Sequence, residues 1–118
     1  AHNNLGNALS ADRKTEEAII HYKMAIELKP GYDEAHYNLG LALLAERRNQ
    51  EAILHFKMAI ELKPDFAEAH YHLGNTLVQK GEMKEAVYHY RETVRLRPDL
   101  AAARDNLEFA LLRSKELE

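Results

Sequence analysis

The chain carries seven histidines, and imidazole is the side chain that both ligates metals and exchanges protons near neutral pH. Six fall into two series, His2, His36, His70 and His21, His55, His89, whose members stand 34 residues apart. A zinc site needs several ligands at about 2 Å from one ion. Equivalent helices of a repeating array lie about 10 Å apart, so neither series can converge on a metal. His70 and His72 are two residues apart, which on a helix aims the rings to different sides. No His-Glu-x-x-His motif occurs.

The second series has Glu17, Glu51 and Glu85 four residues ahead of it, the spacing of side-chain pairs on a helix surface. These read as solvated pairs, each worth roughly a few tenths of a kcal/mol, rather than as pH sensors. Ser10 and Ser114 sit near the two ends without a base and an orienting group, so nucleophilic catalysis has no support. Nothing resembles a glycine loop that would cradle phosphate. The absence of cysteine removes disulfides and thiolate chemistry. Neither a metal, nor a cofactor, nor an enzymatic activity is expected.

The elements that position these residues follow from a period. His21-Tyr-Lys-Met-Ala-Ile-Glu-Leu-Lys-Pro30 returns at His55–Pro64 with one change, Tyr22 to Phe56, and more loosely at His89–Pro98. Gly6, Gly40 and Gly74 follow the same 34-residue spacing, as do Leu9, Leu43, Leu77 and Ala18, Ala52, Ala86. A fixed period of this length marks stacked repeats. Within each copy, apolar residues recur at spacings of three and four, as in Ala35, Leu39, Ala42, Leu43 and then Ala52, Phe56, Ala59, Ile60. Both segments are therefore predicted helices, each of about 13 residues. Proline stops the second helix, since it has no N–H and its ring clashes with the preceding turn. Gly31-Tyr32-Asp33-Glu34, Asp65-Phe66-Ala67-Glu68 and Asp99-Leu100 restart a helix with an acid near its amino end.

Sixteen basic against 19 acidic residues give a net charge of −3, no basic field for nucleic acid or membranes. No run of about 18 apolar residues offers a membrane span, and the amino terminus lacks a signal-peptide pattern. Cytoplasmic is the default location.

Leu-Gly, a leucine three residues later, alanine, an aromatic four residues after it and a closing proline resemble the tetratricopeptide repeat. Three copies match, over 1–32, 33–66 and 67–100, within one domain. Histidine replaces that pattern's tryptophan at His2, His36 and His70, and leucine its tyrosine at Leu9, Leu43 and Leu77. Gly81 supplies the usual glycine between helices, whereas Arg13 and Arg47 take its place in the other copies, as a strained left-handed residue or in a different turn. Residues 101–118 keep Leu107 and Leu111 but set Glu108 where the glycine falls, which reads as a capping helix with one side to water. Ala1 starts inside a helix without an acidic lead-in, so the chain reads as a fragment of a longer array or larger protein.

The resemblance implies an all-α fold, a right-handed α-solenoid of antiparallel helix pairs, working as a non-catalytic protein–protein interaction scaffold. First helices of this family line a concave groove that takes an extended peptide or a partner helix. Carried over by position, the groove holds Asn4, Asn7, Tyr37, Asn38, Leu41, Leu44, Tyr71, His72, Asn75, Val78, Asn106 and Phe109, flanked by Asn3, Glu68, Gln79, Asp105 and Arg113. Asn4, Asn38 and Asn106 share one register, interrupted by His72, and resemble the asparagine ladder of the O-linked N-acetylglucosamine transferase superhelix. An asparagine amide both donates and accepts, so it can pair with a peptide backbone. Yet Tyr-Asn-Leu-Gly is also close to the family's average sequence. Chaperone-adaptor repeats grip a terminal carboxylate with basic residues, but those places hold Asn3, Glu68 and His72, so that clamp is expected to be absent. Alternatives of other classes are a self-association module stacking through the uncapped amino-terminal end, and the targeting arm of a larger enzyme such as a glycosyltransferase.

Overall fold

The computed structural model describes residues 14–116. His2, Asn3, Asn4, Gly6, Asn7, Ser10 and Arg13, with the whole segment predicted as the first helix of repeat 1, lie outside the described residues, as does Glu118. Six helices are described: α1 (Thr15–Leu28), α2 (Asp33–Ala45), α3 (Asn49–Leu62), α4 (Ala67–Lys80), α5 (Met83–Leu96) and α6 (Ala101–Glu116). None of them is long and apolar enough to cross a membrane. Two compact units divide the chain, 1–64 and 65–118. In the first, α2 packs on both α1 and α3; in the second, α5 packs on both α4 and α6. Within each unit, connections of two to four residues make successive helices antiparallel.

The spacing of apolar residues decides which face each helix buries. In the first unit the core is Ala18 and Tyr22 of α1, Ala35, Leu39 and Leu43 of α2, and Ala52, Phe56 and Ala59 of α3. In the second it is Ala69, Leu73 and Leu77 of α4, Ala86 and Tyr90 of α5, and Ala103 and Ala110 of α6. The capping helix thus buries alanines most deeply, while Leu107 and Leu111 are half-buried and Glu108 is exposed, as a side turned to water requires. Gly40 and Gly74 allow the pairs to close. A Cβ on Gly40 would lie 2.6 Å from Cε1 of Phe56, and one on Gly74 would lie 2.7 Å from Cε1 of Tyr90.

Helix starts differ from expectation in one respect. Asp33, Glu34 and Glu68 do sit in first turns, where carboxylates favour the helix dipole. But α6 has no acid in its first turn. Asp99 lies in the preceding turn instead, 3.4 Å from Arg97, which holds its carboxyl below the usual range. The residues at the N-cap positions of α1 to α5 are Lys14, Tyr32, Arg48, Phe66 and Glu82, and none of their side chains caps the helix.

The turns inside the two complete repeats share one hydrogen-bond pattern. Arg48 N–H donates to the Leu43 carbonyl at 2.8 Å, and Glu82 N–H to that of Leu77 at 2.9 Å. This six-to-one bond is the Schellman closure, which requires a left-handed residue at its centre. Gly81 provides it with φ 86°, and Arg47 adopts it with φ 60°. The left-handed alternative for Arg47 is therefore the one adopted. Since that conformation costs a side-chain-bearing residue about 1–2 kcal/mol, against about 0.5–1 kcal/mol of glycine entropy, Arg47→Gly is expected to stabilise the protein. A gain of about 0.5–1 kcal/mol in chemical denaturation checks this, and a loss would show that Arg47 makes compensating contacts.

Candidate functional site

In the first unit, the second face of α2 carries Tyr37, Asn38, Leu41 and Leu44, all half-buried. Tyr37 leans over Phe56 with ring centroids 6.0 Å apart. In the second unit, α4 presents Tyr71, His72, Asn75 and Val78, likewise half-buried, and α6 adds Asn106 and Phe109. There a cleft of about 360 Å³ opens, lined by Asn75, Val78, Gln79, Tyr90, Asn106 and Phe109. Four of the six positions carried over in this unit thus share one cavity. Tyr71 adjoins it through Asn106, whereas His72 is not among the lining residues. Burial pushes the His72 imidazole to lower pKa, with Glu68 opposing.

A hydrogen-bond network shapes the cleft. Tyr90 donates its hydroxyl to Oδ1 of Asn75 at 2.5 Å, and Nδ2 of Asn106 donates to the same oxygen at 3.1 Å. Nδ2 of Asn106 also lies 3.4 Å from the Tyr71 hydroxyl. Burial, with Tyr71 nearby, pushes the Tyr90 phenol up to about 12, so it stays a neutral donor. The amide NH₂ of Asn75 and the carbonyl of Asn106 take no part in this network. Phe109 remains 44% exposed, with the Arg113 guanidinium 5.3 Å from its ring centre. The cleft therefore offers one amide donor, one amide acceptor and an apolar floor.

Sequence reading missed Tyr90 as part of this site. A signal for it exists: Asn75 stands fifteen residues before Tyr90, Leu41 fifteen before Phe56, and Asn7 fifteen before Tyr22. Polar goes with hydroxyl, and apolar with phenyl.

The histidines also behave differently from expectation. Among the described residues no group of three or more candidate ligands could hold a metal ion. The two series, however, meet in pairs nineteen residues apart. Nδ1 of His36 lies 3.1 Å from Nδ1 of His55, with ring centroids 5.4 Å apart and nearly stacked. Nδ1 of His70 lies 2.9 Å from Nδ1 of His89. His36 also contacts the Pro30 carbonyl through Nε2 at 3.0 Å. Glu85 does approach Nε2 of His89, at 3.8 Å, but His89 is only 7% exposed, so the solvated-pair reading fails there. The surface rule considered each helix alone; close packing of the two helices in a repeat turns His55 toward His36 and His89 toward His70.

The family profile described as Tetratricopeptide repeat matches residues 37–101, and one described as TPR repeat matches 14–46. No curated protein matches the chain by sequence. Among solved structures, two of MamA superpose with TM-scores of 0.89 and 0.91 at 28% and 27% identity, covering 92% and 97% of this chain. The chain spans 64% and 62% of those MamA chains, under two thirds of their length. The first TPR of Spaghetti (RPAP3), bound to the HSP90 peptide SRMEEVD, superposes with a TM-score of 0.90 at 21% identity, covering 98% of this chain and 90% of that one. With 34-residue helix pairs, glycine-to-aromatic closure and a profile match over more than half its length, the chain belongs to the tetratricopeptide repeat family.

Proposed function

We propose that the chain is a non-catalytic protein-interaction module that holds an extended peptide segment. The observation that carries this is the cleft of the second unit, where the unused amide NH₂ of Asn75 and carbonyl of Asn106 flank Val78 and the half-exposed Phe109. A peptide backbone presents one acceptor and one donor per residue, so it matches the two amide groups, and an apolar side chain fits the floor. Tyr37, Asn38, Leu41 and Leu44 offer a comparable face in the first unit. Membership of the family supports a partner that is protein rather than nucleic acid, and the near-neutral charge agrees with it.

Selection of peptides from a random library on the immobilised protein tests the reading. Phe109 is exposed enough that Phe109→Ser should leave folding nearly intact, yet it should weaken selected peptides at least about tenfold, the worth of one buried anchor. Peptides indifferent to Phe109→Ser would count against this cleft. Because Glu68 and His72 occupy the positions where a cationic clamp would sit, SRMEEVD is expected to bind no tighter than millimolar; micromolar binding would mean that carboxylate recognition operates here by another route.

A further inference from the structure

The histidine pairs are not among the residues lining the cleft, yet their tautomers can be worked out. The Pro30 carbonyl only accepts, so the hydrogen of the 3.0 Å contact sits on Nε2 of His36. A neutral His36 then has a bare Nδ1, and the hydrogen between the two Nδ1 atoms, 3.1 Å apart, belongs to His55. The lone pair of His55 is left on its Nε2. A first proton can land there without disturbing the contact, and the imidazolium formed donates more strongly through Nδ1. The remaining basic nitrogen is Nδ1 of His36, already the acceptor. A second proton there would set N–H against N–H between two cations, with no hydrogen bond and direct repulsion.

His70 and His89 repeat the geometry at 2.9 Å with both rings buried. The charged groups facing the first pair are Glu51 on α3 and Lys23 on α1, with Glu61 of α3 lining the same cavity as His36. Those facing the second are Glu85 and Glu92 on α5, Glu92 itself being held by Arg95 at 2.8 Å. Carboxylates balance a first positive charge, but nothing among these groups separates two.

We propose that each pair is an acid-operated latch between the first and second helix of its repeat, closed when neutral or singly protonated and opened by the second proton. The inference is independent of the peptide-binding reading. Burial already pushes His55 down to about 4, with His36 and Lys23 adding to the effect and Glu51 opposing it. Uptake of the first proton, on His55, is thus already held below its unfolded value near 6.5, so stability present above about 6.5 begins to be lost as pH falls toward about 4, and the second proton, taken up only on opening, adds to that loss.

Urea unfolding of the free protein between about pH 7 and about pH 4.5 tests the latch, with wild type compared to His55→Asn/His89→Asn. Asparagine places an amide donor near the position of Nδ1–H but does not titrate. Each proton taken up only on opening multiplies the unfolding constant about tenfold per pH unit. With one such proton for each of the two pairs, the wild-type constant should climb up to about a hundredfold more per pH unit than that of the double variant, and equal slopes would overturn the proposal. Should the variant not fold, nitrogen-15 NMR of wild-type imidazoles decides. His36 should keep a bare Nδ1 for as long as the α2–α3 contacts persist; a doubly protonated His36 in an intact pair sinks the latch. No ligand is present in either experiment, so failure here leaves the cleft untouched.

Discussion

Gly40→Ala is expected to destabilise the protein by about 2 kcal/mol, although helix propensity alone predicts a gain of about 1 kcal/mol. The new Cβ would lie 2.6, 2.8 and 3.0 Å from three ring carbons of Phe56. That ring is fully buried, so it has no open space to retreat into, and α2 and α3 must move apart instead. Overpacking of this kind costs about 1–3 kcal/mol or more. Shortening the neighbour should reverse the sign: Phe56→Leu alone weakens the core, but in the Gly40→Ala background it should recover part of the loss. Denaturant midpoints for the two single variants and the double variant, at constant slope, measure this. If Gly40→Ala were as stable as wild type, the close approach would not govern the packing. Gly81→Ala makes the contrast, because nothing lies within 4 Å and only its positive φ is strained.

The second large effect concerns the polar couple of repeat 3. Asn75→Leu removes the acceptor of the Tyr90 hydroxyl and of Asn106 Nδ2 together. A half-buried hydroxyl left without a partner costs about 1–3 kcal/mol, so Asn75→Leu should lose about that much. Adding Tyr90→Phe should restore most of it, because Leu41 with Phe56 is the arrangement that repeat 2 already uses. The double variant is expected within about 0.5 kcal/mol of wild type, a coupling that independent sites do not show. Simple additivity of the two losses would mean that the hydroxyl finds another acceptor. The same variant also separates scaffold from ligand: recovered stability with lost peptide capture would assign the Asn75 amide to both.

The repeats, the helix pairs and the positions of the glycines were legible in the sequence because each is written three times at one spacing, and a period averages out local noise. Glu108 was legible for a related reason, since a charge at a closure position can only face water. What escaped was contact between two helices of one pair. His36 and His55, or Asn75 and Tyr90, lie on different elements, and neither helical period links them. Reading each series down the array, His21 to His55 to His89, hid the partner across the pair. The turn at Arg47 lay between: its position was evident, but its left-handed backbone followed only from the bond that Arg48 makes to Leu43.

The contact between Pro30 and His36 bears on how such a chain could be cut and rejoined. By sequence the proline ends one copy, yet its carbonyl is bonded to the first helix of the next. The closures of repeat 2, Gly40 on Phe56 and His36 on His55, all fall between Pro30 and Lys63. A block running from one proline to the residue before the next therefore carries its internal bonds with it. A block cut after the proline leaves the imidazole of its own first helix without its carbonyl. For grafting or deleting repeats in this protein, the natural seam lies just ahead of proline rather than behind it.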